Sequence, residues 1–341
     1  MNTETRTITD SQEWEGFLQT HQEANFLQSW YWGEFQQALG KQVECMGFYE
    51  GDALMGVVLV VVESAKRAKY MTVAGGPLLD WSNSELVKTC FEELQNVAKK
   101  HNAVFVRVRP QLVENELSLA IFQKRGFVSA PMHLTADLTS QLDITKTEEE
   151  LLAKMRKTTR YELKKAQKLG ITIQTSFNVD DIDGFYERQI QTAKRQGFVP
   201  FSKKFLKEQF RVFSSNNSAL LYQAYHEKKL LAEAFIIFYG SEATYHYGAS
   251  TDEGRKFPGA YLLQWEAILE AKRRGQKRYN FWGVVKPEQT KHRFYGVSIF
   301  KRGFGGEDVA YVHAQDLVIA PLRYMINYFF ENLRKKLRRL G

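Results

Sequence analysis

Cysteine is scarce in this sequence: only Cys45 and Cys90 occur among its 341 residues. They lie far apart and form neither the close spacing of a metal site nor a disulfide framework, which is typical of proteins in a reducing cytosol. Long apolar runs are missing too, since the longest, Ala53–Val62, has ten residues and a membrane-spanning helix needs about 20. The first residues, Met1–Asp10, lack the basic-then-apolar order of a secretion signal. We therefore expect a cytoplasmic protein.

Common catalytic signatures are absent as well. The sequence contains no G-x-S-x-G, H-E-x-x-H, C-x-x-C or Walker motif, the short patterns of familiar nucleophile, metal and phosphate sites. Its seven histidines are scattered, and neither His246 nor His292 has a partner nearby in the sequence. We therefore expect no metal site and no covalent catalysis, and we favour a reaction that depends on positioning and electrostatics.

Positive charge and aromatic residues, in contrast, are plentiful. The chain has 47 Lys and Arg against 39 Asp and Glu, a net charge of +8, and 13% of its residues are aromatic. With 44% hydrophobic residues it can bury well-packed cores, which excludes a disordered protein. Its length predicts about two domains. The charge favours an anionic partner and leaves nucleic acid, a phosphorylated substrate and an anionic lipid open.

One order of predicted elements, strand-turn-strand-strand-helix-strand, occurs twice. The turn at Gly51 corresponds to a turn at Lys228, and the strand Val104–Val108 corresponds to Arg278–Trp282, both at an offset of about 175 residues. Repetition at a constant offset indicates two copies of one fold. We therefore predict a mixed α/β (α+β) protein with two tandem domains of the same kind.

Polar composition suggests where these domains divide. The polar stretch Asp143–Glu148 follows a strand predicted over His133–Leu138. We therefore predict domain 1 at residues 1–143, domain 2 at residues 144–316, and a C-terminal helix at residues 317–341.

The C-terminal helix has two chemically different parts. Its apolar residues recur at three- and four-residue steps, so we expect one face to be buried. These residues are Leu322, Met325, Ile326, Phe329, Leu333 and Leu337. The basic end, Arg334 to Arg339, is expected to remain exposed and to contact the inner face of the plasma membrane reversibly.

Two basic segments are candidate contacts for a nucleic acid. The predicted helix Glu148–Leu169 begins with a possible capping box and has seven positive charges within Lys154–Lys168. The segment Arg255–Ala260 places two cations before a predicted helix, whose free N–H groups and dipole attract anions. The alternative for both segments is ordinary solvated charge. The candidate residues are Lys157, Arg160, Lys164, Arg255 and Lys256.

The segment before this second helix also bears on whether the protein binds coenzyme A. The predicted order of elements is similar to that of GNAT-type acyltransferases, which hold a pyrophosphate at the start of a helix. Their signature is R/Q-x-x-G-x-G/A, and Pro258 stands where its first glycine belongs. The position suits an anion, but the coenzyme A fingerprint is missing.

Four segments, in order along nearly the whole chain, have the form of known motifs. Phe26–Phe35 contains Q-S-x-x-W-G, and Arg156–Gly170 contains R-K-x-x-R-Y followed by K-A and a glycine. Tyr261–Gly283 forms a helix-strand pair, and Phe300–Gly306 reads F-K-R-G-F-G-G. Together they resemble the motifs of the FemABX family of non-ribosomal peptidyltransferases. The tandem GNAT-like acyltransferase domains of that family agree with the repeat, and the resemblance implies that the C-terminal helix packs on domain 1.

The resemblance implies a function and a set of site residues. The family transfers an amino acid from aminoacyl-tRNA to an amine of a peptidoglycan precursor, and no cofactor is expected. Lys301 stands on the family lysine that supports the transition state, and Tyr247 stands on a tyrosine that lines the acceptor site. Further predicted acceptor-binding residues are Trp32, Trp282, Phe201 and Phe205. The basic segments named above are then expected to bind tRNA.

The chain also departs from the family pattern. Arg109 stands where the family strand often ends in an acid, so no general base is carried over. No arginine near Gln196–Phe201 matches the one that holds the precursor's phosphates in some members. Two other functions therefore stay open: N-acyl transfer from acyl-CoA or an acyl carrier to an envelope or small-molecule amine, and noncatalytic binding of nucleic acid or membrane. No stable protein partner is predicted.

Overall fold

The computed structural model describes residues 3–337, which form two compact units. Unit 1 contains the chain up to Asp137 and again from Ala310, and unit 2 contains Leu138–Val309. The chain thus leaves the first unit at Asp137 and returns to it about 170 residues later. Within the described residues, no helix combines the length and the apolar character needed to cross a membrane.

Unit 1 is built on one sheet. Before the chain leaves this unit, its elements are β1 (Thr3–Thr7), α1 (Ser11–Thr20), α2 (Trp30–Ala38), β2 (Gln42–Glu50), β3 (Ala53–Ser64), β4 (Lys69–Ala74), β5 (Leu78–Leu79), α3 (Ser84–Lys100), β6 (Phe105–Arg109), α4 (Glu116–Gln123) and β7 (Val128–Ser129). The next seven strands belong to unit 2, and the last described strand, β15 (Gln315–Val318), returns to this sheet. The strand order is β1-β2-β3-β4-β6-β15-β7, with β5 paired to β3, and β4 and β6 are parallel.

Unit 2 has a sheet of the same kind. Its elements are β8 (Leu138–Asp143), α5 (Glu148–Lys154), α6 (Lys157–Lys168), β9 (Thr172–Ser176), α7 (Asp181–Gln196), α8 (Lys203–Ser215), β10 (Ala219–His226), β11 (Lys229–Tyr239), β12 (Glu242–Ser250), α9 (Gly259–Arg273), β13 (Arg278–Gly283), α10 (Tyr295–Arg302) and β14 (Glu307–Ala310). The strand order is β14-β8-β13-β12-β11-β10-β9, and β12 and β13 are parallel.

The predicted repeat is confirmed. The order β2-β3-β4-α3-β6 in unit 1 recurs as β10-β11-β12-α9-β13 in unit 2, including the parallel pair at its end. The second hairpin turns through Glu227 and Lys228, both at positive φ (46° and 67°), the conformation of a tight type I′ turn.

Each unit buries its own apolar core between the sheet and its main helix. In unit 1, Leu94 of α3 shares a buried cluster with Val58 and Val60 of β3. In unit 2, Ile268 of α9 shares another with Phe281 of β13. The helices lie on the sheets because apolar residues recur along one face of each.

Helix ends follow the sequence closely. The predicted capping box is confirmed, because the Thr147 hydroxyl accepts from the Glu150 N–H and the Glu150 carboxylate accepts from the Thr147 N–H. For α3 the cap is Asn83, whose side chain accepts from the Leu86 N–H. Asn is among the residues preferred at this position.

Two sequence predictions about local structure are wrong. The strand expected over His133–Leu138 begins only at Leu138, and it lies in unit 2 beside β13. The single helix expected over Glu148–Leu169 is two helices, α5 and α6. The Arg160 guanidinium donates to the carbonyls of Ala153 (2.9 Å) and Met155 (2.5 Å), so it satisfies the free carbonyl end of α5 where the chain changes direction.

The last helix, α11 (Pro321–Leu337), contacts unit 1 through a narrow polar side. The buried Tyr324 donates its hydroxyl to Asp316 (2.9 Å), and Glu331 accepts from Arg107 (2.8 Å). Arg107 also pairs with the fully buried Asp316 (2.8 Å), so one guanidinium joins β6, β15 and α11.

The prediction that the apolar face of α11 is buried is wrong. Its side chains are 42–80% exposed, and Tyr324 is the buried residue of the helix. The exposed residues are Leu322, Met325, Ile326, Phe329, Leu333 and Leu337. Periodicity identified the face correctly, but the helix turns its tyrosine and glutamate, not this face, toward the sheet.

Candidate active site

The parallel strands β12 and β13 of unit 2 part at one end. Their ladder runs from Glu242↔Arg278 to Thr244↔Asn280, after which β13 stays with β8 as far as Gly283↔Thr139. Trp282, just before the end of β13, has φ +62°, which marks an irregular strand end. The divergence of the two strands leaves an opening in the sheet beyond Thr244 and Asn280.

Lys301 places its ammonium group at this opening. It lies in the last turn of α10, and its Nζ donates to the carbonyl of Gly283 at 2.8 Å. The same Nζ lies 5.5 Å from the centre of the Tyr245 ring on β12. Lys301 therefore contacts both parted strands.

Burial changes the acid strength of this lysine. Its side chain is 9% exposed, and this desolvation lowers the pKa of Lys301 to about 7. The ammonium and the free amine are then both accessible near neutral pH. A group of this kind can donate a proton to a developing alkoxide or stabilise an oxyanion.

The glycine-rich segment after Lys301 fixes its position. The Gly303 carbonyl accepts from the Arg156 N–H at 2.9 Å, at the start of α6. A Cβ at Gly303 would press on the Thr159 side chain, and one at Gly305, which has φ +87°, would lie 2.8 Å from the Lys154 carbonyl. The glycines therefore allow α10 to approach α5 and α6 closely.

Aromatic packing joins the same segment to α9. The Tyr261 ring, in the first turn of α9, lies 5.0 Å from the Phe300 ring and 6.2 Å from the Phe304 ring. The motif thus holds Lys301, the start of α6 and the start of α9 in one region of unit 2.

Four of the predicted acceptor-binding residues form a continuous aromatic row beside the opening. The Trp282 ring lies 5.4 Å from His246, and His246 lies 4.0 Å from Tyr247. Tyr247 is 5.6 Å from Phe201, which stacks on Phe205 at 4.4 Å. The row is accessible from solvent, since Phe201 is 48% exposed and the other four rings are half-buried. Such a surface suits the apolar faces of a substrate.

Sequence reasoning missed His246 as a member of this row. The pairing of β11 with β12 shifts so that Phe235 faces Tyr247 and Ile236 faces Tyr245, leaving His246 in a bulge. The buried Gln209 amide nitrogen lies 3.1 Å from its Nε2, and burial lowers the pKa of His246 to about 3. The ring is therefore neutral. Three adjacent aromatic residues on a strand were the signal available in the sequence.

Trp32, the fifth predicted acceptor-binding residue, lies in unit 1. Its ring packs on Phe26 (5.7 Å) and Phe35 (5.2 Å). The neighbouring Gln28 donates to the Ala74 carbonyl (2.8 Å) and accepts from the Leu59 N–H (2.9 Å). The Q-S-x-x-W-G segment thus braces the middle of β3 and the end of β4.

The predicted tRNA-binding residues differ in how exposed their side chains are. Lys157, Lys164, Arg255 and Lys256 are exposed. Arg160 is half-buried and its guanidinium donates to the α5 carbonyls described above, so it is less free than the other four to contact a phosphate. The helices α6 and α9 pack together and begin without a side-chain cap, which leaves N–H groups at their starts for an anion.

Comparison with solved structures gives the fold class of this protein. A tandem GNAT protein from the clavulanic acid biosynthesis pathway has the same fold, with a TM-score of 0.60 at 11% identity over 93% of this chain and 99% of that chain. The crystal structure of FemX is more similar, with a TM-score of 0.84 at 18% identity over 95% and 99% of the two chains. The predicted tandem GNAT-like acyltransferase fold is confirmed.

The family follows from the sequence. The model of the FemAB family matches residues 9–126, 125–227 and 214–332, so the chain belongs to the FemAB family. Aminoacyltransferase FemA of Staphylococcus aureus (strain MRSA252) is 23% identical over 89% of this chain and 92% of its own length. The same enzyme of Staphylococcus epidermidis is 22% identical over the same shares. The protein is an aminoacyltransferase, as the motifs predicted.

Proposed function

We propose that this aminoacyltransferase moves an amino acid from aminoacyl-tRNA to an amine of a peptidoglycan precursor, and that the reaction occurs at the opening between β12 and β13. The position of the Lys301 Nζ, which contacts both strands, carries this proposal. Family membership supports the two substrates. The ester of the aminoacyl-tRNA is already activated, so alignment and charge stabilisation are sufficient for catalysis.

The chemistry assigns one step to Lys301. The acceptor amine attacks the ester carbonyl, and a tetrahedral intermediate with a negatively charged oxygen forms. Its collapse forms the amide, breaks the ester bond and releases the ribose oxygen of the tRNA. The Lys301 ammonium stabilises the oxyanion and gives its proton to the leaving oxygen, and the proton lost by the amine restores it through water.

The aromatic row is the proposed acceptor surface. Trp282 and Tyr247 are the members of the row nearest to the contacts of Lys301. Lys301 contacts Gly283, which follows Trp282 in the sequence, and Tyr245, which lies two residues before Tyr247. Phe201 and Phe205 extend the row outward. We propose that Lys157, Lys164, Arg255 and Lys256 hold the tRNA phosphates at the starts of α6 and α9.

A peripheral contact with an anionic membrane is the second part of the proposal. The apolar residues of α11 are exposed along one face, and Arg323, Arg334 and Lys336 are exposed beside them. A helix with an apolar face and flanking cations lies in the plane of an anionic bilayer. Of the predicted basic end, Arg338 and Arg339 lie outside the described residues. Such a contact favours a lipid-linked acceptor at the inner membrane face.

The test uses purified full-length protein and tRNA charged with a labelled amino acid. Nucleotide-linked and lipid-linked precursors are offered as separate acceptors, and labelled acetyl-CoA is offered as an alternative donor. We expect label to pass from the tRNA to a precursor amine, faster to the lipid-linked acceptor when anionic vesicles are present. Transfer from acetyl-CoA alone would overturn the proposal in favour of an acyl-CoA-dependent enzyme.

A further inference from the structure

Three potential metal ligands meet in unit 1, and none of them is part of the proposed active site. His133 and Asp137 lie in the segment through which the chain leaves the unit, and His313 lies in the segment through which it returns. The Nδ1 of His313 is 2.7 Å from Asp137 Oδ2, and the Nδ1 of His133 contacts the same oxygen. One ligand atom from each residue lies within 4.8 Å of the others.

The hydrogen bonds of His313 determine which of its nitrogens has a proton. Its Nε2 lies 2.8 Å from the Ala130 carbonyl, which can only accept, so Nε2 is the protonated nitrogen of the neutral ring. The lone pair of Nδ1 then points at the Asp137 carboxylate, which also only accepts. Two lone pairs repel at this distance, so a positive charge belongs between them. At 2.7 Å that charge is a proton, and a metal ion takes its place once the two atoms move to about 3.3 Å, the separation of two ligands with bonds of about 2.0 Å at a tetrahedral angle.

The surroundings favour a metal ion. A backbone carbonyl that accepts from the far nitrogen of a histidine is the usual second contact of a metal-binding imidazole. The other carboxylate oxygen of Asp137, Oδ1, is buried and has no hydrogen-bond partner among the described residues, so it is available as a further ligand atom. The His133 side chain is 57% exposed, which gives an ion a path from solvent.

We propose that His133, Asp137 and His313 bind a divalent transition metal ion, with Zn²⁺ as the first candidate. Two imidazoles and one carboxylate are a common Zn²⁺ ligand set, with bonds of about 2.0–2.2 Å and a fourth position left for water. The sequence predicted no metal site because two of the ligands are 176 positions apart and only the return of the chain brings them together.

The ion has a structural role in this position. It ties the segment around Ala130–Asp137 to the segment that leads into β15, and β15 provides Asp316, the anchor of Tyr324 and Arg107. Binding of an ion to the folded state alone raises the stability of that state. Removal of the ion is therefore expected to lower the melting temperature of the full-length protein.

The experiment measures metal binding directly and needs no transfer activity. Tag-free full-length protein is stripped with a chelator, dialysed, and titrated with Zn²⁺ by calorimetry and with Co²⁺ by visible absorption near neutral pH. We expect one ion per chain, a tetrahedral or five-coordinate Co²⁺ spectrum, and a higher melting temperature with Zn²⁺. Absence of saturable binding would overturn the proposal and leave a protonated His-Asp-His cluster.

Variants locate the site. His133→Asn and His313→Gln are expected to weaken Zn²⁺ binding at least about tenfold. The matched control is His101→Gln, since His101 pairs with the single carboxylate of Glu44 (2.6 Å) and should keep wild-type binding. If a variant does not fold, the imidazole NMR signals of the wild-type protein decide: signals of His133 and His313 that do not change when Zn²⁺ saturates the protein would overturn the assignment.

Discussion

At the scale of one residue, Lys301 shows how burial changes the acid strength of a side chain. An exposed lysine has a pKa of about 10.4 and is almost fully protonated at neutral pH. Inside unit 2, contact with the Gly283 carbonyl and the Tyr245 ring holds the ammonium in place, while desolvation lowers its pKa to about 7. The sequence identified the residue through its motif, but the two contacts depend on where β12 and β13 part.

Substitution of Lys301 tests its role in the transition state. Lys301→Met removes the charge and keeps most of the side-chain volume. We expect kcat to fall about 10²–10³-fold, the usual effect of losing one such donor, while the KM values for charged tRNA and acceptor change little. Steady-state kinetics with each substrate varied will measure this. Turnover close to that of the wild type would make Lys301 a structural residue.

The pH dependence tests which form of Lys301 acts. Because its folded-state pKa is lowered to about 7, the ammonium form is lost as the pH rises through that value. Dividing the wild-type kcat by the Lys301→Met kcat at each pH cancels the effect of the acceptor amine's titration, because that effect is the same for both proteins. We expect this ratio to fall above pH about 7. A ratio that rises there would instead identify the neutral amine as a base.

At the scale of elements, the placement of α10 depends on close packing at a glycine. A Cβ at Gly303 would lie 3.0 Å from the Phe300 carbonyl and closer still to the Thr159 side chain. We expect Gly303→Ala to destabilise the protein by about 1–3 kcal/mol and to lower kcat, because Lys301 lies two residues away. The control is Gly296→Ala in the same helix, where a Cβ meets nothing within 4 Å. Thermal melts and turnover assays compare the two variants. Equal melting temperatures and equal turnover would contradict the packing argument.

The basic helix α6 has a separate, electrostatic test. Lys157→Glu with Lys164→Glu should raise the KM for charged tRNA at least about tenfold and reduce its salt dependence, because phosphate contacts release counterions. The acceptor KM should not change. Lys99→Glu with Lys100→Glu on α3 is the control of equal charge change, since both lysines are exposed in unit 1. Equal tRNA dependence of the two double variants would remove α6 from the tRNA site.

Elements whose form depends on local sequence were predictable. The capping box at Thr147 and the repeated hairpins, with a turn at Lys228, require only nearby residues. The break between α5 and α6 was not, because it depends on Arg160 reaching back to the carbonyls of the preceding helix. The bulge at His246 was not either, because the register of two strands determines it.

At the scale of the whole molecule, the two copies of one fold differ at the end of their parallel strand pair. In unit 1 the parallel pair β4 and β6 stays together as far as Ala74↔Arg109, and Gln28 closes the end of β4. In unit 2 the corresponding pair opens after Thr244↔Asn280, and Lys301 enters there. The repeat in the sequence predicted two equal folds, but not which of them opens, since that difference depends on side chains from outside the repeated strands.

The exposed face of α11 leads to a prediction about the complete chain. Burial of one large apolar side chain contributes about 1.5–3 kcal/mol, and cations near an anionic bilayer add about 1 kcal/mol each. We expect the full-length protein to sediment with anionic vesicles, more at low salt. Ile326→Gln with Phe329→Gln should weaken this binding at least about tenfold at any salt concentration, since both side chains are 58–65% exposed and reach the acyl boundary.

Charge and apolar area can be separated in the same assay. Arg334→Gln with Lys336→Gln should weaken binding at low salt and have little effect at high salt, where screening already removes the attraction. Leu117→Gln on α4 is the control, because Leu117 is 81% exposed but outside α11; it should bind vesicles like the wild type. If the Ile326 and Phe329 variant also sediments like the wild type, α11 does not contact the bilayer, and a nucleotide-linked acceptor becomes the better substrate for this enzyme.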